Sequence, residues 1–158
     1  MMGIRKRGVM VGTAALLFGC SRATGDPGSA TDSPRSREIV ITTVPLLTKE
    51  LGRTYAFLKP DFSPGGVLAG KEVYEFMPST ITVNEGDTLR LTFINPEDDA
   101  HSFVMTDLSV AIPGESVTHA TYIARRAGLL DFVCAIPTHS PMMRGQLVVL
   151  SRHKSRSE

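Results

Sequence analysis

The sequence contains few of the residues that most often build reactive sites. It has two cysteines, Cys20 and Cys134, and four histidines among 158 residues. Basic and acidic side chains nearly balance, with a formal net charge of +1, and no basic face recurs along the chain. We therefore expect no nucleic-acid partner. Convincing long helical patterns are also missing, which argues against an all-helical fold.

The first residues resemble an export signal. Three basic residues precede an apolar run of eleven residues, 8–18, which is too short to cross roughly 30 Å of hydrocarbon. The following Leu17-Phe18-Gly19-Cys20 resembles the bacterial lipobox, which implies cleavage after Gly19 and acylation of Cys20. Residues 1–19 are thus predicted to be a lipoprotein signal peptide, and 20–37, rich in Ser, Gly and Pro, a lipid-anchored flexible linker.

The rest of the chain is dominated by short β-rich runs separated by turn residues. A globular domain is predicted over residues 38–151, followed by a polar tail, 152–158. The runs number nine and predict an all-β, antiparallel two-sheet sandwich. They lie at residues 38–43, 54–58, 72–76, 80–83, 88–94, 102–105, 116–124, 129–133 and 146–150.

A short loop between the last two runs concentrates metal-binding side chains. Cys134, His139 and Met143 follow one another at spacings that let all three converge, and His101 begins an earlier run. Taken singly, each has a plain alternative: a buried structural cysteine, a surface histidine or a core methionine. Together, two imidazoles, a thiolate and a thioether are the ligand set of a mononuclear blue-copper site.

The two cysteines are predicted to have different roles. They could form one disulfide in an exported protein. If Cys20 is acylated, however, Cys134 becomes a lone thiol in an oxidising compartment, and a bound metal would explain it.

Several motifs in the second half of the chain resemble those of the cupredoxins. The resemblance covers roughly residues 77–150 and implies a Greek-key sandwich holding one copper ion through His101, Cys134, His139 and Met143. Ser102 departs from the family pattern, because many relatives have an asparagine there that braces the ligand loop. The matching motifs are Asn84-x-Gly86-Asp87, Phe93-x-Asn95, His101-x-Phe103, Ala127-Gly128-x-Leu-x-Phe132-x-Cys134, Pro137-x-His139 and Met143-x-Gly145.

Met142 competes with Met143 for the axial position. The spacing of Met143, similar to that of azurin-type members, and its place two residues before Gly145 favour Met143. Met142 is then expected to be exposed beside His139. Ile136, Pro137, Pro141 and Met142 are predicted to form an apolar rim there, which resembles the partner-docking face of cupredoxins.

The resemblance implies an electron carrier rather than an enzyme. We expect an exported protein, periplasmic or otherwise extracytoplasmic, that is anchored to a membrane through Cys20. Its expected partners are redox proteins such as c-type cytochromes or a membrane oxidase or reductase. A copper-delivery protein of the same fold, a domain of a multicopper enzyme and a metal-free structural sandwich are the alternatives. Four histidines are too few for the additional sites of such an enzyme.

Overall fold

The computed structural model describes residues 33–139 and 142–152. The predicted signal peptide, Cys20, Pro141, most of the linker and most of the polar tail lie outside the described residues. Within the described part, no helix has both the length and the hydrophobicity needed to cross a bilayer.

Nine strands and three short helical segments make up the described fold. The strands are β1 Ser36–Leu47, β2 Val73–Met77, β3 Thr80–Asn84, β4 Thr88–Asn95, β5 His101–Met105, β6 Leu108–Ile112, β7 Ser116–Ile123, β8 Gly128–Val133 and β9 Arg144–Leu150. The helical segments are α1 Lys49–Thr54, a 3₁₀ turn Ala56–Leu58 and α2 Lys59–Phe62, and all three lie between β1 and β2.

The strands form two sheets, which confirms the predicted sandwich. One sheet has the order β2-β1-β4-β7, and the other β3-β9-β8-β5-β6. The sheets are mixed, whereas antiparallel sheets were expected, because β1 runs parallel to β4 and β3 parallel to β9. The chain leaves the first sheet after β2 and re-enters it at β4, so β1 and its parallel neighbour β4 are not joined by a hairpin.

One strand assigned from sequence was wrong, and one strand of the structure was not predicted. Residues 54–58 end a helix and form a 3₁₀ turn, where a strand was expected. Pro60 stands in the first turn of α2, the part of a helix that tolerates proline, and the short apolar run before it cannot by itself distinguish strand from helix. The strand β6, which was not predicted, pairs with β5 through the tight turn at residues 106–107.

Four phenylalanine rings from both sheets form the centre of the core. Phe103 stacks on Phe132 with ring centroids 4.6 Å apart and lies 4.9 Å from Phe93, while Phe76 contacts Phe103 and Phe132 at 5.6 Å. Side chains alternate along a strand, so residues two apart share a face. Tyr74, His101 and Cys134 are each two residues from one of these rings and lie over one end of the core.

Asp87 lies just before the first residue of β4, at the end of the strand away from Asn95. It connects the first and the last residues of the domain. Its buried carboxylate accepts hydrogen bonds from the backbone N–H groups of Arg35 and Asn84 and pairs with Arg37 and Arg152. Burial by itself would raise the pKa of this carboxyl, but these donors lower it to about 2. The Asn-x-Gly-Asp turn noted in the sequence therefore holds together strand β1 and the residues after β9.

Candidate metal centre

Three predicted ligands come together at one end of the sandwich. The donor atoms of His101, Cys134 and His139 all lie within 4.8 Å of one another, and none of these residues exposes more than 3% of its surface. His101 begins β5, and Cys134 follows the last residue of β8. The three residues are therefore supplied by strand β5 and by the loop after its neighbour β8.

The ligand loop is closed by its own backbone. The Cys134 N–H donates to the Met143 carbonyl at 2.9 Å, and the Met143 N–H donates to the His139 carbonyl at 3.2 Å. A further turn joins the His139 N–H to the Ile136 carbonyl at 3.0 Å. These backbone bonds constrain the spacing of the three side chains.

The two methionines differ in burial. Met143 is fully buried in the hydrophobic core, whereas Met142 is 38% exposed. Met143 is thus buried like Cys134 and His139, which favours it over Met142 as the axial candidate. The predicted rim is partly exposed, since Pro137 and Met142 are exposed and Ile136 is half-buried.

Gly145 allows β9 to pass close to the core just after Met143. A Cβ at this position would lie 2.3 Å from the Ser79 carbonyl oxygen and 2.4 Å from the Phe132 ring. No side chain fits at these distances, so the glycine two residues after the axial candidate has a steric explanation.

Ser102 contacts the ligand loop where many cupredoxins have asparagine. Its hydroxyl accepts a hydrogen bond from the Ala135 N–H at 2.9 Å and lies 3.9 Å from the Cys134 sulfur, within reach as a donor. A hydroxyl can donate and accept at once, so Ser102 links β5 to the loop and also contacts the predicted thiolate.

Sequence reasoning quoted Asn95 only as part of a motif, and the structure shows what this residue does. The buried Asn95 accepts a hydrogen bond from the Thr43 hydroxyl at 2.7 Å and donates to the carbonyls of Asp99 and Pro113 at 2.8 and 3.0 Å. It thereby joins β1, the segment before His101 and the segment before β7. The Asn95 side chain thus fixes the loop that precedes His101.

Sequence reasoning missed Tyr74 altogether. Its ring centroid lies 4.6 Å from that of His101 and 4.5 Å from that of His139. Burial raises the pKa of Tyr74 above its ordinary value, and the hydrogen bond from its hydroxyl to Asp99 raises it further. The only sequence signal was the alternation of Tyr74 with Phe76, which indicated a core position and nothing more.

Both histidines of the cluster are held neutral. Burial and then the nearby His139 lower the pKa of His101 to about 4 from an ordinary value of 6.5. Burial likewise lowers the pKa of His139. A neutral imidazole offers a free lone pair, so both rings are suited to bind a metal at neutral pH.

The donor set fits one copper ion. The two ring nitrogens of His101 are buried and have no hydrogen-bond partner, which is costly unless another group satisfies one of them. The Cys134 sulfur and the His139 Nδ1 lie 3.8 Å apart. Typical metal–sulfur and metal–nitrogen bonds, separated by a trigonal angle, place two such atoms roughly 3.8 Å apart. Thiolate and imidazole donors in this arrangement are those of a blue-copper site.

The chain belongs to the family defined by the cupredoxin-like domain. The family model matches residues 71–149, half of the chain. Comparison with curated protein sequences finds no significant match.

Two solved structures show the same fold at low sequence identity. A multicopper oxidase, mgLAC, is 16% identical with a TM-score of 0.52 over 75% of this chain. The copper nitrite reductase of Nitrosomonas europaea is 17% identical with a TM-score of 0.53 over 76%. This chain spans 40% and 43% of those two chains. Auracyanin A, a blue copper protein of Chloroflexus aurantiacus, is 18% identical with a TM-score of 0.47, over 72% of this chain and 98% of its own.

Proposed function

We propose that this protein is a mononuclear blue-copper electron carrier, exported and tethered to a membrane. The observation that carries the proposal is the buried cluster of His101, Cys134 and His139, with the His101 nitrogens unpartnered. Met143 completes the set as the axial ligand. A copper ion bound there supplies a one-electron couple between Cu(I) and Cu(II).

Burial of the donors supports a carrier over an enzyme. His101, Cys134 and His139 are 2%, 0% and 3% exposed, so none of them presents a broad face to a substrate. The closed backbone of the ligand loop holds three of the proposed ligands in one arrangement. A site that changes little between oxidation states suits electron transfer, because little reorganisation is required.

Electrons are proposed to pass to partners through the rim formed by Ile136, Pro137, Pro141 and Met142. The exposure of Pro137 and Met142 beside the buried His139 supports this choice. Apolar rims permit close, transient contact with a partner protein. The proposed partners are c-type cytochromes or a membrane oxidase or reductase.

Export and tethering rest on the amino-terminal sequence alone. The proposal is that Cys20 becomes the acylated first residue and that residues 20–37 keep the domain near the membrane, outside the cytoplasm. Labelling of growing cells with a fatty-acid analogue tests this. Incorporation should be lost in Cys20→Ala and retained in Cys134→Ser, and absence of label from the wild type would refute acylation.

Spectroscopy of the copper-loaded domain tests the central proposal. The wild type should show the intense visible absorption of a copper–thiolate bond and a reversible one-electron couple. His139→Ala should lose the blue band, whereas His119→Ala, which changes an exposed histidine on β7, should retain it. A colourless Cu(II) form would refute the proposal. Rapid loss of Cu(I) to a chelator without a reversible couple would instead indicate copper delivery.

A further inference from the structure

Tyr74 forms a three-ring contact with both histidines of the proposed site. The Tyr74 ring lies 4.6 Å from His101 and 4.5 Å from His139, and the two imidazoles are 4.9 Å apart. Tyr74 is 2% exposed. A single side chain from the other sheet therefore packs against two predicted ligands that come from different parts of the chain.

The tyrosine is held at both of its ends. Its hydroxyl donates to the Asp99 carboxylate at 2.6 Å, and the Asp99 carbonyl accepts a hydrogen bond from Asn95. Its backbone pairs with Pro45 in the register of β1 and β2. With the ring fixed from both directions, its position does not depend on the imidazoles that it contacts.

Glu72, the residue just before strand β2, contacts the loop between Cys134 and Met143 directly. The Glu72 N–H donates to the carbonyl of Thr138, the residue before His139, at 3.0 Å. The buried Glu72 carboxylate is in turn held by the Lys49 N–H at 3.2 Å and the Lys49 ammonium at 3.4 Å. The insertion between β1 and β2, for which sequence suggested no role, thus ends against the proposed metal site.

His101 particularly needs such support. Metal-binding histidines usually donate their second ring nitrogen to a carbonyl, carboxylate or water, which fixes the orientation of the ring. Both nitrogens of His101 are buried with no partner, so a hydrogen bond to the protein cannot orient this ring. Packing has to do so instead, and Tyr74 is the aromatic side chain in edge contact with it.

We propose that Tyr74, anchored by Asp99, is a positioning residue that holds His101 and His139 in their ligand orientation before copper binds and in both oxidation states. It also closes that side of the site to small ligands from solvent. This inference rests on the proposed copper function, but its first test needs no metal.

The first test measures imidazole motion in the metal-free protein. Side-chain ¹³C relaxation of His101 and His139 should show greater motion in Tyr74→Leu than in the wild type. Phe76→Leu is the matched control, since Phe76 lies on the same strand and face but contacts the core rings of Phe103 and Phe132. It should lower thermal stability and leave the imidazole relaxation unchanged.

The second test uses the copper-loaded protein. Copper affinity, measured by competition with a chelator, should fall by about 10- to 100-fold in Tyr74→Leu, the range typical for loss of a residue that orients a metal ligand. Azide should change the visible spectrum of Tyr74→Leu and not that of the wild type or Phe76→Leu. Tyr74→Phe keeps the ring and loses the hydroxyl, so its effect should be intermediate and equal to that of Asp99→Ala.

The outcomes separate this inference from the function itself. A wild type without a blue band would refute the copper function, while the metal-free relaxation would still decide the role of Tyr74. Wild-type relaxation in Tyr74→Leu, or equal effects from Phe76→Leu, would overturn the positioning role. If Tyr74→Leu does not fold, Tyr74→Phe and Asp99→Ala decide, and wild-type imidazole motion in both would overturn it.

Discussion

Replacing Ser102 by alanine should lower the reduction potential of the copper-loaded protein. The substitution removes the hydroxyl that lies 3.9 Å from the Cys134 sulfur. A hydrogen bond to the sulfur withdraws electron density from it and so favours Cu(I). Without this donor the thiolate stabilises Cu(II) more strongly, and the potential falls.

The geometry sets the size of the change. A hydrogen bond to a charged group such as a thiolate usually contributes more free energy than one between neutral groups. Because 3.9 Å is near the long limit for a hydrogen bond to sulfur, we assign this bond only the free energy of an ordinary one, about 0.5–1.5 kcal/mol. A tenfold change in equilibrium corresponds to about 59 mV for one electron, so the potential should fall by about 20–65 mV. The Ala135 N–H also loses its acceptor, which should cost about 1 kcal/mol of unfolding free energy in the metal-free protein.

Voltammetry and chemical denaturation measure the two effects separately. Ser109→Ala is the matched control, because Ser109 is an exposed serine on β6 of the same sheet. It should leave the potential and the unfolding free energy unchanged. Ser102→Thr keeps the hydroxyl and should restore most of the potential. An unchanged or higher potential in Ser102→Ala would refute the reasoning.

Three further substitutions test the axial residue, the strand crossing and the buried carboxylate. Met143→Leu should alter the visible spectrum and raise the potential, because it removes an electron-donating axial thioether, whereas Met142→Leu should change neither. Gly145→Ala should lower the unfolding free energy by about 1–3 kcal/mol in a denaturant titration, because its Cβ would overlap Phe132; wild-type stability would contradict the crowding. Asp87 has a folded pKa of about 2, below its ordinary 3.8, so it stabilises the fold above pH 4 and that contribution is lost as the pH falls from about 4 to 2. In Asp87→Asn, thermal melts should show a lower Tm at neutral pH and a smaller loss over that interval; equal acid sensitivity would contradict this role.

The ligand loop could be predicted because its information is local. Cys134, His139 and Met143 lie within ten residues, and Phe132 and Cys134, which are two residues apart, are both buried, as expected for one face of a strand. The sandwich followed from short alternating runs in the same way. His101 required only one further assumption, that its strand neighbours that of Cys134, and β5 does pair with β8.

The supports of the site could not be predicted, because they depend on pairings between distant segments. Tyr74 reaches the histidines only because β2 pairs with β1, and β1 pairs in parallel with β4 about fifty residues away. Nothing in the local pattern specifies a parallel register of this kind. The alternation of Tyr74 and Phe76 was visible, but both were equally good core residues. Only the tertiary structure shows that Tyr74 contacts the two proposed histidine ligands and that Phe76 contacts Phe103 and Phe132.

Three groups of contacts among the described residues hold the proposed site from different sides. The Cys134–Met143 loop is closed by its own backbone, Asn95 fixes the loop before His101, and Tyr74 contacts the two imidazoles from the other sheet. Asn95 and Tyr74 both bond to Asp99, whereas the backbone hydrogen bonds of the Cys134–Met143 loop involve neither residue. A substitution at Asn95 or Tyr74 should therefore leave that loop closed and loosen the site more than it unfolds the domain. Such a site would be formed before copper arrives, and the cost of ordering the ligands would be met during folding. The same property would keep reorganisation small when the oxidation state changes.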